Sequence, residues 1–214
     1  IAYAAIGRMT RRLAVLPAGE KLEVWGPLGN GFPVPNGEEL ILVAGGIGYT
    51  PFLAVAKEAL GVARYGKVNR GEGRRRLVKL LFGVRNREYV PSDINRFSDS
   101  GVQVVLSSDD GSIGYHGFAS DLLEQELDSN DNSNRVVYCC GPEPLMAKVA
   151  EICREKNVEC FVSLETPMAC GLGLCYSCAA KIRSNSSDAD QWDYRRVCVE
   201  GPVFDARTVV FEDT

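Results

Sequence analysis

The middle of the chain alternates short apolar runs with longer segments in which apolar residues recur every three or four positions. Short runs rich in Val, Ile and Leu are typical of buried parallel strands, and the longer spacing is typical of helices with one buried face. The runs predict five strands, at residues 40–44, 77–82, 102–106, 136–139 and 160–164. Three helices are predicted between strands, at residues 50–60, 118 or 120 to 127, and 142–156. This alternation predicts an α/β fold with a doubly wound parallel sheet.

The two ends of the chain have a different pattern. Residues 1–36 contain an apolar opening and an alternating stretch at 21–25, which together predict an all-β unit. Residues 165–214 contain clustered cysteines and two predicted short strands, at 179–182 and 208–211. We therefore divide the chain into three domains, at 1–36, 37–164 and 165–214. Because the sequence opens on strand-like residues without an initiator Met, we expect that an N-terminal portion is missing.

Composition excludes several classes of function. The 214 residues carry a net charge of −4, which argues against a nucleic-acid partner, and the basic run at 74–76 reads as a solvated loop. Apolar runs are strand-sized, so we expect no membrane span. The one histidine, His116, lies in a predicted turn. A single histidine cannot supply the ligands that a histidine-ligated metalloprotease or a Rieske cluster needs. The absence of a secretion signal favours a cytoplasmic protein over a secreted, disulfide-bonded one.

Four of the eight cysteines form a recognisable metal-binding pattern. Cys170, Cys175, Cys178 and Cys198 read C-x4-C-x2-C…C, which is the plant-type spacing for a [2Fe–2S] cluster. A structural zinc site with four cysteine ligands is the alternative, but zinc sites usually pair two C-x2-C knuckles and this sequence has one. The spacing therefore favours iron–sulfur over zinc.

A glycine-rich turn follows the first predicted strand of the sheet. It contains Gly45, Gly46 and Gly48, followed by Thr50 as the expected N-cap and Pro51 as the first residue of a helix. Glycines between a strand and a helix let a phosphate approach the backbone, where the helix N-terminus supplies N–H donors. A second motif, which begins with Cys140 and Gly141, ends the fourth predicted strand at the same sheet edge. Doubly wound folds bind ligands at that edge.

These motifs together resemble the ferredoxin-reductase-type flavoproteins. The nicotinamide domain of that family has two signatures. The first, a strand followed by GGxGxTP, is intact here, and the second, a strand followed by CGPxxM, has one extra residue before Met146. Four further segments narrow the resemblance to the electron-transfer subunits of class 1B dihydroorotate dehydrogenases. These segments lie at residues 26–32, 110–117, 165–178 and 198–204. The resemblance implies a FAD-binding barrel, a nicotinamide domain and a small [2Fe–2S] domain, so residues 1–36 would be the C-terminal part of the barrel.

The resemblance also implies which residues bind which cofactor. Cys170, Cys175, Cys178 and Cys198 would hold the [2Fe–2S] cluster. The NAD pyrophosphate and nicotinamide would lie against residues of the two strand-end motifs: Gly45, Gly46, Gly48, Thr50, Cys140 and Gly141. FAD would contact Tyr3, Met9 and Thr10, although Met9 stands where the family has glycine and Ala4 where it has arginine. No residue is expected to be catalytic by itself.

The function implied is electron transfer in pyrimidine biosynthesis. An FMN-containing catalytic subunit would oxidise dihydroorotate, and electrons would pass through the [2Fe–2S] cluster to FAD and on to NAD+, within a heterotetramer. The small subunit of a sulfide dehydrogenase or of a ferredoxin–NADP+ transhydrogenase is one alternative. A zinc-stapled, non-enzymatic interaction module is another.

Two further expectations follow from the positions of particular side chains. The acidic group Ser107-Ser108-Asp109-Asp110 follows the third predicted strand. If its carboxylates lie near the adenosine ribose, they would repel the 2′-phosphate of NADP and favour NAD; a solvated acidic turn is the alternative. The cysteine loop carries the apolar residues Met168, Leu172, Leu174 and Tyr176. If they are exposed, we expect them to dock the catalytic subunit.

Overall fold

A computed structural model describes residues 3–35, 37–65, 77–128, 134–184 and 191–211. Within these residues, seven strands form one sheet in the order β4-β3-β2-β1-β5-β6-β9, which is parallel except for β9. The strands are β1 (Glu39–Gly45), β2 (Leu77–Val84), β3 (Gln103–Ser108), β4 (Tyr115–His116), β5 (Arg135–Cys140), β6 (Glu159–Ser163) and β9 (Val203–Asp205). All five predicted central strands are present, so the α/β prediction is confirmed. The basic run at 74–76 lies outside the described residues.

Helices cover both faces of this sheet. They are α2 (Phe52–Ala59), α3 (Asn95–Asp99), α4 (Ala119–Leu127) and α5 (Glu143–Glu155), whereas α1 (Arg8–Ala14) lies in the N-terminal segment and buries no residue. Alternate residues of β1 point to opposite faces: Ile41 and Val43 pack with α4 and α5, whereas Leu40 and Leu42 pack with α2 and α3. Both faces are therefore buried, as the continuous apolar runs predict. Thr50 makes no side-chain cap, because a 3₁₀ turn at Gly46–Tyr49 leads into α2 instead.

The N-terminal segment does not form the predicted strands. Residues 3–35 contain α1 and no strand, and no closed barrel is formed by the part of the chain that the structure describes. A strand needs a hydrogen-bonded neighbour and a covered apolar face, but Val24 and Trp25 are exposed. Alternation in the sequence therefore predicted a strand at 21–25 for which this segment supplies no partner.

The C-terminal segment combines a correct prediction with three errors. The strand predicted at 179–182 is β7 (Ala179–Arg183), which pairs with β8 (Trp192–Arg196), a strand that was not predicted. The strand predicted at 208–211 is reduced to one bridge, between Ile182 and Val209. The short strand β9, also missed, extends the large sheet beyond β6. The cysteine segment is thus joined to the sheet edge through β9.

The side chain of Asn30 ties the N-terminal segment to the cysteine segment. Its amide donates to the carbonyls of Glu200 (3.2 Å) and Val203 (2.8 Å), and its carbonyl accepts from the Val203 N–H (2.9 Å). Nearby, Phe32 packs against Phe52 and Tyr138 in the core. Residues 30–32 therefore hold the segment against both the sheet and the turn that follows Cys198.

None of the helices in the described residues has the length and apolar character that crossing a membrane requires.

Candidate functional site

The carboxyl ends of β1 and β5 lie side by side at the point where the sheet order reverses. This switch point forms the ligand-binding crevice of doubly wound folds. A Cβ atom built on Gly48 would lie 2.1 Å from the carbonyl oxygen of Cys140, and one on Gly141 would lie 2.9 Å from the nitrogen of Gly45. The two glycine motifs therefore pack directly against each other. Gly48 and Gly141 are required for this close packing.

Gly46 has a different role from Gly48. Its φ of +53° is in the left-handed region, and a Cβ atom built there would meet nothing within 4 Å. The backbone at Gly46 is thus open to a ligand, as the sequence predicts for a phosphate-binding turn.

A cavity of about 910 Å³ opens at this edge of the sheet. It is large enough for a cofactor-sized ligand. Of the predicted nucleotide-binding residues, Gly45 and Gly46 line it, whereas Gly48, Thr50, Cys140 and Gly141 do not. Cys140 is half-buried, and burial raises the pKa of its thiol, partly opposed by a hydrogen bond with Ser163. Cys140 is therefore a neutral thiol that does not line the cavity.

Charged side chains from three regions line the same cavity. Arg85 follows β2 with its guanidinium 5.7 Å from the ring centroid of Tyr89, Asp109 follows β3, and Lys148 comes from α5. Sequence reasoning missed Arg85 and Lys148, although the position of Arg85 directly after a buried strand was a usable signal. Two cations and one carboxylate suit a ligand that carries both phosphate and ribose groups.

The two aspartates of the predicted acidic group have different surroundings. Asp109 lines the cavity, whereas Asp110 accepts a hydrogen bond from the Ser112 N–H at 2.9 Å. Hydrogen bonds with Ser112 hold the pKa of the Asp110 carboxyl below its ordinary value. Ser108 is buried, and its hydroxyl donates to the Ile113 carbonyl at 2.8 Å. Of the two carboxylates, Asp109 is the one that faces the cavity.

The four cysteines of the C-x4-C-x2-C…C pattern interact as two pairs. Cys170 interacts with Cys175, and Cys178 interacts with Cys198. The two pairs are near each other, because Cys170 also interacts electrostatically with Cys198. Among the described residues, no group of three or more His, Cys, Asp or Glu side chains has an arrangement suited to one metal ion. Two pairs of thiols instead match the needs of two irons, each held by two thiolates.

The electrostatic surroundings of the pairs differ. Backbone N–H groups from Leu172, Cys175 and Leu174, the first of them 3.3 Å from the sulfur, lower the pKa of Cys170 to about 6. Burial raises the pKa of Cys198, with a further rise from the hydrogen bond with Cys178. The loop thus presents N–H donors to a thiolate before any metal is considered.

The remaining core cysteines are separate from these pairs. Cys139, Cys153 and Cys160 are buried on one face of the sheet, and a hydrogen bond with Cys153 and burial raise the pKa of Cys160 well above its ordinary value. All eight cysteines are free thiols. The three buried ones behave as small apolar residues, as the sequence predicts.

The predicted flavin residues lie in the N-terminal segment, away from the cavity lining. Tyr3 and Met9 are exposed, and the hydroxyl of Thr10 accepts from the Gly7 N–H at 3.0 Å within the first turn of α1. Ala4 does line the cavity. The structure therefore brings the start of the segment to the nucleotide cavity, but it does not gather Tyr3, Met9 and Thr10 around one pocket.

The four apolar side chains of the cysteine loop are all exposed, which meets the condition set above for a docking surface. The exposed fractions are 48% for Met168, 54% for Leu172, 78% for Leu174 and 56% for Tyr176. Trp25 and Leu28 approach the same loop at Gly171. An apolar surface thus lies directly beside the thiol pairs.

Family comparisons match the two halves of this arrangement separately. Residues 165–210 match a model described as the iron–sulfur cluster binding domain of dihydroorotate dehydrogenase B. Residues 42–151 match a model described as an oxidoreductase NAD-binding domain. The first match contains all four paired cysteines, and the second contains the end of β1 and the glycine turn.

Solved structures support the fold. The chain superimposes on a structure titled as the NADH-dependent reduced ferredoxin-NADP oxidoreductase, with a TM-score of 0.76 and 25% identity over 96% of this chain and 66% of that one. It also superimposes on a ferredoxin NADP+ reductase from Neisseria gonorrhoeae with bound FAD and NADP, with a TM-score of 0.50 and 17% identity. The arrangement is therefore ferredoxin reductase-like.

Curated relatives match nearly the whole chain. A dihydroorotate dehydrogenase B (NAD(+)) electron transfer subunit from Caldanaerobacter subterraneus subsp. tengcongensis is 33% identical over 99% of this chain and 75% of that protein. A probable subunit of the same name from Pyrococcus furiosus is 36% identical over 96% of this chain and 69% of that protein. Identity of this extent, together with the paired cysteines, means that the chain belongs to the dihydroorotate dehydrogenase B electron transfer subunit family.

Proposed function

We propose that this chain transfers electrons from a dihydroorotate-oxidising catalytic subunit to NAD+. The observation that carries the proposal is the pairing of four thiols beside an exposed apolar surface, on a domain with a large nucleotide-sized cavity. Such a chain can receive single electrons at one site and deliver them to a nucleotide at another. We retain the division into domains at 1–36, 37–164 and 165–214 as part of this proposal, with the first segment belonging to the flavin unit.

Cys170, Cys175, Cys178 and Cys198 would hold a [2Fe–2S] cluster. Their donor set fits, because two interacting thiol pairs match two irons and the N–H groups around Cys170 stabilise a thiolate. Cys170 with Cys175 would hold one iron, and Cys178 with Cys198 the other. When bound, such a cluster exchanges one electron at a time, and the chain’s own contribution is to fix the four ligands and exclude water from the buried pair.

NAD+ would occupy the 910 Å³ cavity. The open backbone at Gly46, with Arg85 and Lys148, would contact the phosphates, and Asp109 would accept from ribose hydroxyls. Gly48, Thr50, Cys140 and Gly141 would support this site from beneath or beside it. FAD is proposed to bind against the start of the N-terminal segment, where Ala4 lines the nucleotide cavity. Tyr3, Met9 and Thr10, which the resemblance assigns to FAD, are not gathered around one pocket there.

The partner would be an FMN-containing catalytic subunit, in a heterotetramer of two copies of each chain. An electron donor must come close to the thiol pairs, and the exposed side chains of Met168, Leu172, Leu174 and Tyr176 lie on the loop that carries them. An apolar surface at that position suits a protein interface. At that location a docked subunit would lie next to the proposed cluster.

The direct test is an activity that needs both chains. The chain, purified anaerobically with its catalytic partner, should convert dihydroorotate and NAD+ to orotate and NADH plus a proton. The catalytic subunit alone should not produce NADH, and neither should the mixture when Cys170 is replaced by Ser. If NADH forms equally fast without this chain, the proposal is wrong.

The interface is tested with charged substitutions. Leu174→Asp should weaken co-purification with the catalytic subunit at least about tenfold, since it buries a charge in the contact. Leu77→Asp, at an exposed position at the other end of the sheet, is the matched control. Equal binding by the Leu174→Asp variant and the unmodified chain would exclude this surface.

A second candidate function is transfer between ferredoxin and a nicotinamide nucleotide. The observation that favours it is the TM-score of 0.76 to the reduced ferredoxin-NADP oxidoreductase structure, although identity there is 25% against 33–36% for the dihydroorotate relatives. Reduced ferredoxin that supports NADH formation without a dihydroorotate-oxidising subunit would favour this second candidate. A zinc-stapled module would give a colourless protein that contains zinc and no iron.

A further inference from the structure

The side chain of Arg196 connects the two halves of the thiol site. One guanidinium N–H donates to the carbonyl of Gly173, inside the cysteine loop, at 3.0 Å. Another donates to the carboxylate of Glu200, just beyond Cys198, at 3.2 Å. The guanidinium carbon also lies 5.1 Å from the ring centroid of Tyr176. Arg196 therefore contacts both the loop with three of the cysteines and the turn with the fourth.

These contacts are held in place by the backbone. Arg196 is the last residue of β8, and its N–H donates to Glu200 at 2.9 Å. The same carboxylate receives the side chain of Arg195 at 3.0 Å. Glu200 thereby fixes the orientation of Arg196, and the planar guanidinium is held within hydrogen-bonding distance of the Gly173 carbonyl.

The position of Arg196 also matters for charge. The Cys198 sulfur and the guanidinium interact electrostatically. Reduction adds a negative charge to an iron–sulfur cluster, so a nearby cation stabilises the reduced state and raises the reduction potential. Arg195 has no contact with the loop among the interactions described for it, and its side chain is more exposed, at 47% against 32% for Arg196.

We propose that Arg196 is a positioning residue that holds the Cys170–Cys178 loop in register with Cys198 and raises the reduction potential of the cluster bound there. This inference rests on the proposed iron–sulfur function. It assigns separate tasks to the two parts of the side chain: the forked hydrogen bonds keep the four thiols together, and the charge tunes the electron affinity.

Three variants separate these tasks. Arg196→Lys keeps the charge and loses the fork, Arg196→Gln loses both, so that the difference between these two variants reports the charge, and Arg195→Gln removes a neighbouring charge as the matched control. Each full chain is purified anaerobically and its cluster is titrated with dithionite, followed by electron paramagnetic resonance. Cluster loss is then followed by visible absorbance in the presence of an iron chelator.

For Arg196→Gln, we expect a more negative potential, so that the ratio of reduced to oxidised cluster at a fixed solution potential falls at least about threefold. Arg196→Lys should shift the potential less but lose its cluster at least about threefold faster than the unmodified chain. Arg195→Gln should resemble the unmodified chain in both measurements. If Arg196→Gln retains no cluster while the other two variants do, the positioning role is supported directly.

Two results would overturn the inference. One is that both Arg196 variants have the same reduction potential and the same rate of cluster loss as the unmodified chain. The other is that Arg195→Gln and Arg196→Gln shift the reduction potential of the cluster equally, which would indicate a general charge effect. An unmodified chain that binds no iron–sulfur cluster would instead contradict the proposed function, so the two failures are distinguishable.

Discussion

Individual cysteines in this chain differ in chemistry because their surroundings differ. Cys139 and Cys160 are buried among apolar side chains, which keeps their thiols protonated. Cys170 has backbone N–H donors around its sulfur, and its pKa falls to about 6. At neutral pH, Cys170 is therefore the thiol already prepared to bind a metal.

We expect replacement of Cys170, Cys175, Cys178 or Cys198 by Ser to remove the visible absorbance of the cluster, because each iron would lose a thiolate. Cys153→Ala is the matched control: it should retain the absorbance while lowering stability by about 1–2 kcal/mol through loss of packing. Visible spectra and iron analysis of the purified variants provide the measurement. Loss of colour in Cys153→Ala alone would contradict the assignment.

Asp109 is the residue at which we expect the choice of nucleotide to be made. Its carboxylate faces the cavity, whereas that of Asp110 is engaged by Ser112. Asp109→Asn should improve kcat/KM for NADP+ relative to NAD+ by about tenfold, since repulsion of the 2′-phosphate is removed. Asp110→Asn, as the control, should leave this ratio nearly unchanged. An unaltered ratio in Asp109→Asn would show that Arg85 or another group determines selectivity.

The junction of β1 and β5 depends on two glycines with opposite requirements. Gly48→Ala places a methyl group against the Cys140 carbonyl and should destabilise the fold by roughly 1–3 kcal/mol or more. Gly46→Ala meets no atom and carries only the strain of a positive φ, about 1–2 kcal/mol. Thermal unfolding and NAD+ binding should therefore separate them: the Gly48 variant loses more stability, and the Gly46 variant loses affinity when the ligand contacts that backbone. Equal unfolding temperatures would contradict the packing account.

The Asn30 side chain is expected to control how firmly the cysteine segment is attached. Asn30→Ala removes three hydrogen bonds to the backbone of Glu200 and Val203 and should cost about 1–3 kcal/mol in the free energy of unfolding. Asn86→Ala, which removes one exposed cap on Glu88, is the control and should cost about 1 kcal/mol or less. Chemical denaturation measures both, and a smaller loss at position 30 than at 86 would contradict this role.

Across the whole molecule, the predictable features are those that a local pattern specifies. The five buried strands, the helices between them and the cysteine spacing each follow from residues close together in the sequence. The strand at 21–25 was wrong and β9 was missed, because pairing depends on a distant partner that alternation does not specify. Arg85, Asp109 and Lys148 line one cavity only after β2, β3 and α5 are assembled, so sequence reasoning found one of the three.

The central claim is that this chain connects a nicotinamide nucleotide to a two-iron cluster. It is tested most directly by titrating the anaerobically purified full chain with NADH in the presence of FAD, followed by visible and electron paramagnetic resonance spectroscopy. The account predicts a coloured protein that bleaches on addition of NADH and develops the signal of one reduced [2Fe–2S] cluster per chain. A colourless protein without iron, or a cluster that dithionite reduces but NADH with FAD leaves oxidised, would contradict it.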